Sequence, residues 1–344
     1  MASGPPASGS EIAKALRIVF MGTPALAAHI LDRLADASGG GVEIVGVVTR
    51  PDQPRGRGLR LEPSEVGAVA ERRGLPVLKP VKIRTPEFLA ELSGLNPDLL
   101  VVAAYGRILP DPVLAAARLM PINVHASLLP RHRGASPVEG AILAGDTESG
   151  VTIMRVSSRM DAGPILLARA IPIAPGETQE TLKEKLAELG AAVLLEALEK
   201  LRLGQLVETP QDESLATYTS PVSKADAVID WNADAARIER MVRAYDPWPV
   251  ARTRLRGDEL QVWRATLDDS GSPRAPAASA ASGGSRAAPG TDAPGTIVRM
   301  KPDVAVQCGS GRIVLAEVQA AGRKRMGAAE FLRGRRVIPG ERLG

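Results

Sequence analysis

RIVFMGTPALAAHILDRL, Arg17 to Leu34, sets the reading of the chain. Arg17 to Met21 is a short apolar run, Pro24 stands where a first helical turn begins, and Ala25 to Leu34 carries a helical repeat of apolar residues. That is a strand followed by a helix, and the pattern recurs downstream. Val42 to Val48 reads as the next strand and Pro63 to Arg73 as the next helix. Pro76 to Leu78 is a short strand before a helix at Thr85 to Leu92. Asp98 to Ala103, Ile122 to His125 and Val151 to Val156 add three strands, with a helix at Ser136 to Leu143 between the last two. Continuous rather than alternating apolar runs are what a sheet covered by helices on both faces requires. The expected fold class is therefore α/β, a doubly wound Rossmann-like domain.

Thr178 to Leu203 predicts one long helix, with Thr181 and Glu184 as a capping box, Leu182, Leu186, Leu189, Val193, Leu194, Leu198 and Leu201 as its apolar stripe, and Gly204 as its C-cap. Beyond a polar stretch, Gln205 to Ser220, the pattern changes to short strand-like runs: Val250 to Leu255, Leu260 to Thr266, Thr296 to Met300, Val304 to Cys308 and Arg312 to Val318. They predict a small C-terminal β-barrel. The expected organisation is a disordered tail at 1–16 that is not a signal peptide, an α/β domain at 17–204, a linker at 205–220, and a β domain at 221–344 with a flexible Ser-, Ala-, Gly- and Pro-rich insertion at 270–294. Trp231 and Trp248 are expected in the barrel core or in domain packing.

Composition narrows the function. The 344 residues hold one cysteine and three histidines, so no disulfide and no Cys/His zinc site is expected, and a reducing cytoplasm is the natural compartment. No run of about 18 apolar residues exists to span a membrane. Aromatic residues at 3% are too few for a single-strand binder built on stacking. The formal net charge of +4 is unevenly spread: residues 295–344 carry ten basic against four acidic side chains, a local excess of +6 that suits a nucleic-acid backbone.

The turn Met21-Gly22-Thr23-Pro24 lacks the three-glycine dinucleotide fingerprint, and no P-loop lysine motif is present. The chemical signal lies at Pro121 to Gly134, PINVHASLLPRHRG. A strand here delivers Asn123 and His125 from the same face, at the carboxyl end where open α/β sheets bind ligands. An amide NH2 and an imidazole can both address an oxyanion developing on an attacked carbonyl. Asp161, in a turn after the following strand, is a carboxylate able to orient that imidazole. Each residue also has a plainer reading: Asn123 and Asp161 as turn formers, His125 as a core histidine, His132 as a solvated loop residue, and Cys308 as a buried thiol.

MGTP (21–24), RPDQPRGRG (50–58), AYGRILP (104–110), INVHASLLPRHRGASP (122–137), GDTESGVTIM (145–154), DAGPIL (161–166) and DPWP (246–249) together resemble the methionyl-tRNA formyltransferases, within the folate-dependent formyltransferase family. The likeness covers Arg17 to Leu343. It implies transfer of a formyl group from 10-formyltetrahydrofolate to the α-amino group of methionyl initiator tRNA, with Asn123, His125 and Asp161 as the catalytic trio and no metal. It also implies that the C-terminal barrel is OB-like and grips tRNA, and that a folate-contacting loop lies at Ser127, Leu128, Leu129 and Pro130. For tRNA it points to a Gly/Pro-rich basic loop with Arg50, Arg55, Arg57 and Arg60, and to the C-terminal cluster Arg323, Lys324 and Arg325. At Arg55 the family often carries a small residue. The protein is expected to act as a monomer. Two other readings stand beside this one: the same chemistry on a small amine such as glycinamide ribonucleotide or an amino sugar, or on water, and a non-catalytic RNA-binding module. The +6 segment argues against the first of these, and the intact trio against the second.

Overall fold

The computed structural model describes residues 14–55, 58–268 and 292–344. The N-terminal tail up to residue 13 and residues 270–291 of the expected insertion lie outside the described residues. The chain divides into two compact units, Met1–Ala141, Asp146–Ala174 and Thr181–Pro221 forming one, and Ile142–Gly145, Pro175–Glu180 and Val222–Gly344 the other.

The strand-helix alternation begins with β1 (Leu16–Gly22), α1 (Ala25–Asp36), β2 (Val42–Val48), the short pair β3 (Gln53–Arg55) and β4 (Arg60–Glu62), α2 (Glu65–Arg72), β5 (Val77–Leu78) and α3 (Pro86–Gly94). It continues with β6 (Leu99–Ala103), α4 (Asp111–Leu114), β7 (Met120–His125), β8 (Arg133–Gly134), α5 (Pro137–Ala144), β9 (Glu148–Arg155), β10 (Ile165–Pro172), α6 (Gln179–Arg202) and β11 (Tyr218–Thr219). Seven strands form one sheet in the order β10-β9-β7-β6-β1-β2-β5, parallel from β7 to β5. β9 and β10 run antiparallel at the other edge. Every residue of β6 is buried, as a strand covered on both faces must be. On one face Val19, Met21, Leu100 and Val102 pack with Phe88 and Leu92 of α3 and with Val113 of α4.

Local chemistry explains the helix starts. Ser64 caps α2 by accepting from the Gly67 amide, and Thr85 caps α3 by accepting from Phe88. α6 begins at Gln179, ahead of Thr181, so Thr181 lies within the helix and is not its cap. The other end is as expected: Gly204 takes φ +66° and the amides of Gly204 and Gln205 reach back to the carbonyls of Leu201 and Lys200.

In the second unit come α7 (Ala235–Ala244), β12 (Ala251–Leu255), β13 (Asp258–Leu267), β14 (Ile297–Arg299), β15 (Val304–Gln307), β16 (Arg312–Ala320), β17 (Met326–Gly327) and α8 (Ala328–Gly334). The sheet order is β12-β13-β16-β15-β14, with β17 also on β16. This curled antiparallel sheet is the expected OB-like element. Its two edges are joined by the chain terminus, where Leu343 bridges to Leu255 and Arg342 to Thr296. Trp231 is core, its indole N–H donating to Thr253 Oγ1 at 2.9 Å. Trp248 is not: it is half exposed, in the turn after α7.

Cys308 is a core residue, and burial pushes its thiol up to about 12. Since only the thiolate reacts, the native chain should label at pH 8 about a thousandfold more slowly than the unfolded chain with a disulfide reagent. Stoichiometric labelling of the native protein within minutes would contradict this burial.

Candidate active site

β7 ends at His125, whose ring is buried to 6% exposure. Its Nε2 lies 3.0 Å from the carbonyl oxygen of His132. A carbonyl only accepts, so this contact assigns the proton to Nε2 and leaves Nδ1 as the nitrogen facing the site. Nδ1 stands 3.8 Å from Asp161 Oδ2, too long for a direct hydrogen bond but within ion-pair range. Asn123, two residues earlier on the strand, is half-buried, and its carboxamide has no hydrogen bond among the described residues. The structure therefore brings His125 and Asp161 together and places Asn123 on the same strand with its amide unengaged.

Asp161 is held in the left-handed region at φ +48°, a conformation aspartate tolerates better than most residues. The Gly134 amide donates to its Oδ2 at 2.8 Å. Two residues on, Gly163 passes so close to β9 that an added Cβ would meet the Arg155 carbonyl oxygen at 1.9 Å. Only glycine fits there, which explains the Asp-Ala-Gly sequence physically.

The Ser127–Pro130 loop is tied to β9. Thr152 Oγ1 donates to the Ser127 carbonyl at 2.7 Å and accepts from the Leu129 amide at 3.1 Å. Ser127 Oγ donates to the Arg131 carbonyl at 2.7 Å. Ser127 and Leu129 thus spend polar atoms on tying the loop to β9 and to itself, while Leu128 and Pro130 remain part exposed. His132 corrects the reading of a solvated loop residue: it is 7% exposed, its Nε2 lies 2.7 Å from Asp146 Oδ2, and its amide donates to Thr217 Oγ1 at 2.8 Å.

The basic loop is a hairpin in which Arg55 and Arg60 are register partners. Arg57 lies outside the described residues. Arg60 is exposed beside Leu59 and Leu61, which are 72% and 69% exposed. Arg50 sits apart, half-buried just after β2, with its Nε buried and unpartnered. In the second unit Arg323 and Lys324 are exposed, and Arg325 lays its guanidinium over the Trp263 ring at 3.1 Å from the centroid. An open cleft of about 410 Å³ in the first unit is lined by Arg84, Leu89, Ile108, Leu109, Pro110 and Asp111, among others. It does not include the trio.

Sequence reading missed the group that surrounds Asp161 from the segment 205–220. Arg133, fully buried, donates to Gln211 Oε1, to both oxygens of Glu213 and to the Tyr218 hydroxyl. Hydrogen bonding to Arg133 holds the Glu213 carboxyl below the usual carboxylate range. Among the described residues no group of three or more His, Cys, Asp or Glu could hold a metal ion. No described helix is long and apolar enough to cross a membrane.

Comparison with known proteins gives the class. Residues 16–198 match the family "Formyl transferase" and residues 221–336 match "Formyl transferase, C-terminal domain". The chain is 44% identical over 329 residues to a methionyl-tRNA formyltransferase of Nitrosospira multiformis, covering 95% of this chain and 99% of that protein. To one of Roseiflexus castenholzii it is 45% identical, covering 96% and 99%. The chain belongs to the methionyl-tRNA formyltransferase family. Among solved structures the fold is shared with the N-formyltransferase of Helicobacter canadensis in complex with folinic acid and dTDP-3-aminofucose (TM-score 0.59, 15% identity, 89% of this chain and 99% of that one). It is shared also with HypX of Aquifex aeolicus in complex with tetrahydrofolic acid (TM-score 0.57, 19% identity, 93% and 47%).

Proposed function

We propose that this enzyme transfers the formyl group of 10-formyltetrahydrofolate to the α-amino group of methionyl initiator tRNA, giving the formylated tRNA for translation initiation, with Asn123, His125 and Asp161 as its catalytic residues. The observation that carries the chemistry is the pairing of His125 Nδ1 with Asp161 Oδ2, on a strand that also carries the unengaged Asn123 amide two residues earlier. The acceptor follows from relatives at 44% and 45% identity along nearly the whole chain. The neutral amine attacks the formyl carbon; as the new C–N bond forms, the carbonyl oxygen gains negative charge. Asn123 Nδ2 donates to that oxygen, and the His125 ring donates to it from Nδ1 when doubly protonated, its Nε2–H staying on the His132 carbonyl. The bond from carbon to the folate nitrogen then breaks, one proton leaves the amine and one reaches the departing nitrogen, a relay assisted by Asp161. No proton is gained or lost overall.

Leu128 and Pro130 are read as folate contacts through their exposed apolar surface, with Ser127 and Leu129 holding the loop's shape. The first unit is read as the formyl-transfer domain and the second as the tRNA-holding domain. The enzyme is read as a monomer, and its lone buried thiol suits a cytoplasmic enzyme. The test is incubation with formyl-labelled 10-formyltetrahydrofolate and methionyl initiator tRNA, glycinamide ribonucleotide or an amino sugar nucleotide. Label should enter the tRNA alone; transfer to a small amine and not to tRNA sinks the proposal.

For tRNA we read Arg50, Arg55, Arg57 and Arg60 with Arg323, Lys324 and Arg325 as phosphate contacts. Replacing Arg323, Lys324 and Arg325 together by Gln should weaken tRNA binding at all sequences and lower the slope of log Kd against log salt by about two to three, while turnover at saturating tRNA stays near that of the parent. An unchanged salt slope in filter-binding titrations removes the cluster from the interface.

A further inference from the structure

The turn that carries Asp161 is gripped from outside by a segment remote in sequence. Gln211 Nε2 donates to the Asp161 carbonyl at 2.8 Å and to the Gly163 carbonyl at 2.7 Å. Its Oε1 accepts from Arg133 Nη2 at 2.8 Å and Nε at 3.1 Å. Glu213, which also accepts from Arg133, takes the Arg159 guanidinium at 2.8 Å, two residues before Asp161. All four hydrogen-bonding valences of the Gln211 amide group that point inward are therefore used: two on the catalytic turn and two on a fully buried arginine. The same stretch holds the carboxylate's other anchor. β11 pairs in parallel with β8, where Gly134 donates to Asp161 Oδ2. Gly134, at φ +108°, leaves no room for a side chain: an added Cβ would meet the Thr219 carbonyl oxygen at 2.2 Å.

We infer that Gln211 is a positioning residue for formyl transfer, setting the backbone of Asp161 so that its carboxylate stands opposite His125 Nδ1. The inference rests on the reading of Asp161 as a catalytic residue. The turn is pinned at Gly163 against β9 and at the carboxylate by the Gly134 amide, but Arg159 and Met160 on its outer side are exposed, and among the described residues no side chain other than Gln211 hydrogen-bonds the Asp161 and Gly163 carbonyls. The two bonds from Gln211 fix the main chain between those two anchors. They reach main-chain oxygens, so their effect is on where the Asp161 carboxylate sits and not on substrate contact. Arg133 in turn fixes the Gln211 rotamer and settles which end of the amide is NH2, because only Oε1 can accept from a guanidinium.

The experiment is a double-mutant cycle on the full chain. Gln211→Glu keeps an acceptor for Arg133 and removes the NH2 that holds the turn; Gln211→Ala removes both. Each should lower kcat about ten- to a hundredfold, the scale of a misplacement near one ångström, with KM for both substrates within about threefold of the parent. In an Asp161→Asn background, which keeps the acceptor for Gly134, Gln211→Glu should cost less than about twofold further, because a residue that acts through Asp161 has nothing left to place. A merely structural role predicts losses that multiply. Parental kcat in Gln211→Glu, a loss confined to KM, or multiplying losses overturns the inference while leaving Asp161 in its role. Parental turnover in Asp161→Asn alone overturns the catalytic reading itself and the inference with it. If Gln211→Ala melts early, Gln211→Glu, with its Arg133 contact kept, carries the cycle.

Discussion

His125→Ala is expected to lose three to four orders of magnitude in turnover, about 4 to 5 kcal/mol of barrier, while binding methionyl-tRNA as the parent does. The size follows from the geometry. The ring is nearly sealed from solvent and its Nε2–H is committed to the His132 carbonyl, so Nδ1 is the nitrogen left to donate, when the ring is doubly protonated, to the formyl oxygen and to work with Asp161. Removing the ring takes both services at once and opens a pocket that water, disordered and neutral, fills without replacing either. No residue read as a tRNA contact touches His125 by a hydrogen bond or ion pair among the described residues. Single-turnover formylation at saturating substrates and a filter-binding titration read the two quantities separately. Turnover within tenfold of the parent would falsify the role given to His125. Loss of tRNA affinity to match would mean that the substitution damages the fold.

Arg133→Met should be the most damaging of the substitutions outside the trio. Methionine fills much of the same volume, so the effect reads lost hydrogen bonding rather than a cavity. Gln211 Oε1 and the Tyr218 hydroxyl lose their donor, and Glu213 keeps only Arg159. Because the Glu213 side chain is half exposed, its freed charge escapes to water, and the penalty falls below that of a broken fully buried ion pair. About 3 kcal/mol is expected, a fall of about 6 to 12 °C in the melting of a unit of this size. Turnover should fall as well, since Gln211 loses the partner that fixes its amide. A melting temperature within 2 °C of the parent, by calorimetry, would show that this buried guanidinium contributes about 1 kcal/mol at most.

How far the sequence foretold this arrangement depends on what each element owes to its neighbours in the chain. β1, β2, β6 and β7 are continuous apolar runs because both faces are covered, and a run of that kind is visible without any partner. Asn123 and His125 were legible for the same reason, alternate positions on one such strand. β10 was not read although Ile165 to Ala168 is an apolar run: it is an edge strand in which only Leu166 is buried, so its run is short and gives no sign of a covered strand. α7 carried a signal that passed unread, an Asp234 side chain accepting from the Arg237 amide ahead of Ile238 and Val242. The Gln211 grip had no signal at all. It joins residues 50 and 78 positions apart through side chain and main chain, and such contacts impose no period on the sequence. His132 and Trp248 erred in opposite directions for one cause: burial is decided by what folds over a residue, here Asp146 and Thr217 over His132 and nothing over much of Trp248.

The bridges made by residues 342 and 343 bear on the order in which the molecule is made. Synthesis proceeds from the N-terminus, and domains generally fold as they emerge. Once Thr219 has been added, every strand of the first unit exists, together with Gln211, Arg133 and the Asp161 turn they hold. The second unit reaches that point much later, because the sheet edges at Leu255 and Thr296 stay unjoined until Arg342 and Leu343 arrive. A nascent chain of this enzyme thus passes through a stage in which His125, Asp161 and the residues that hold them are all present while the sheet of the second unit is still open along both sides.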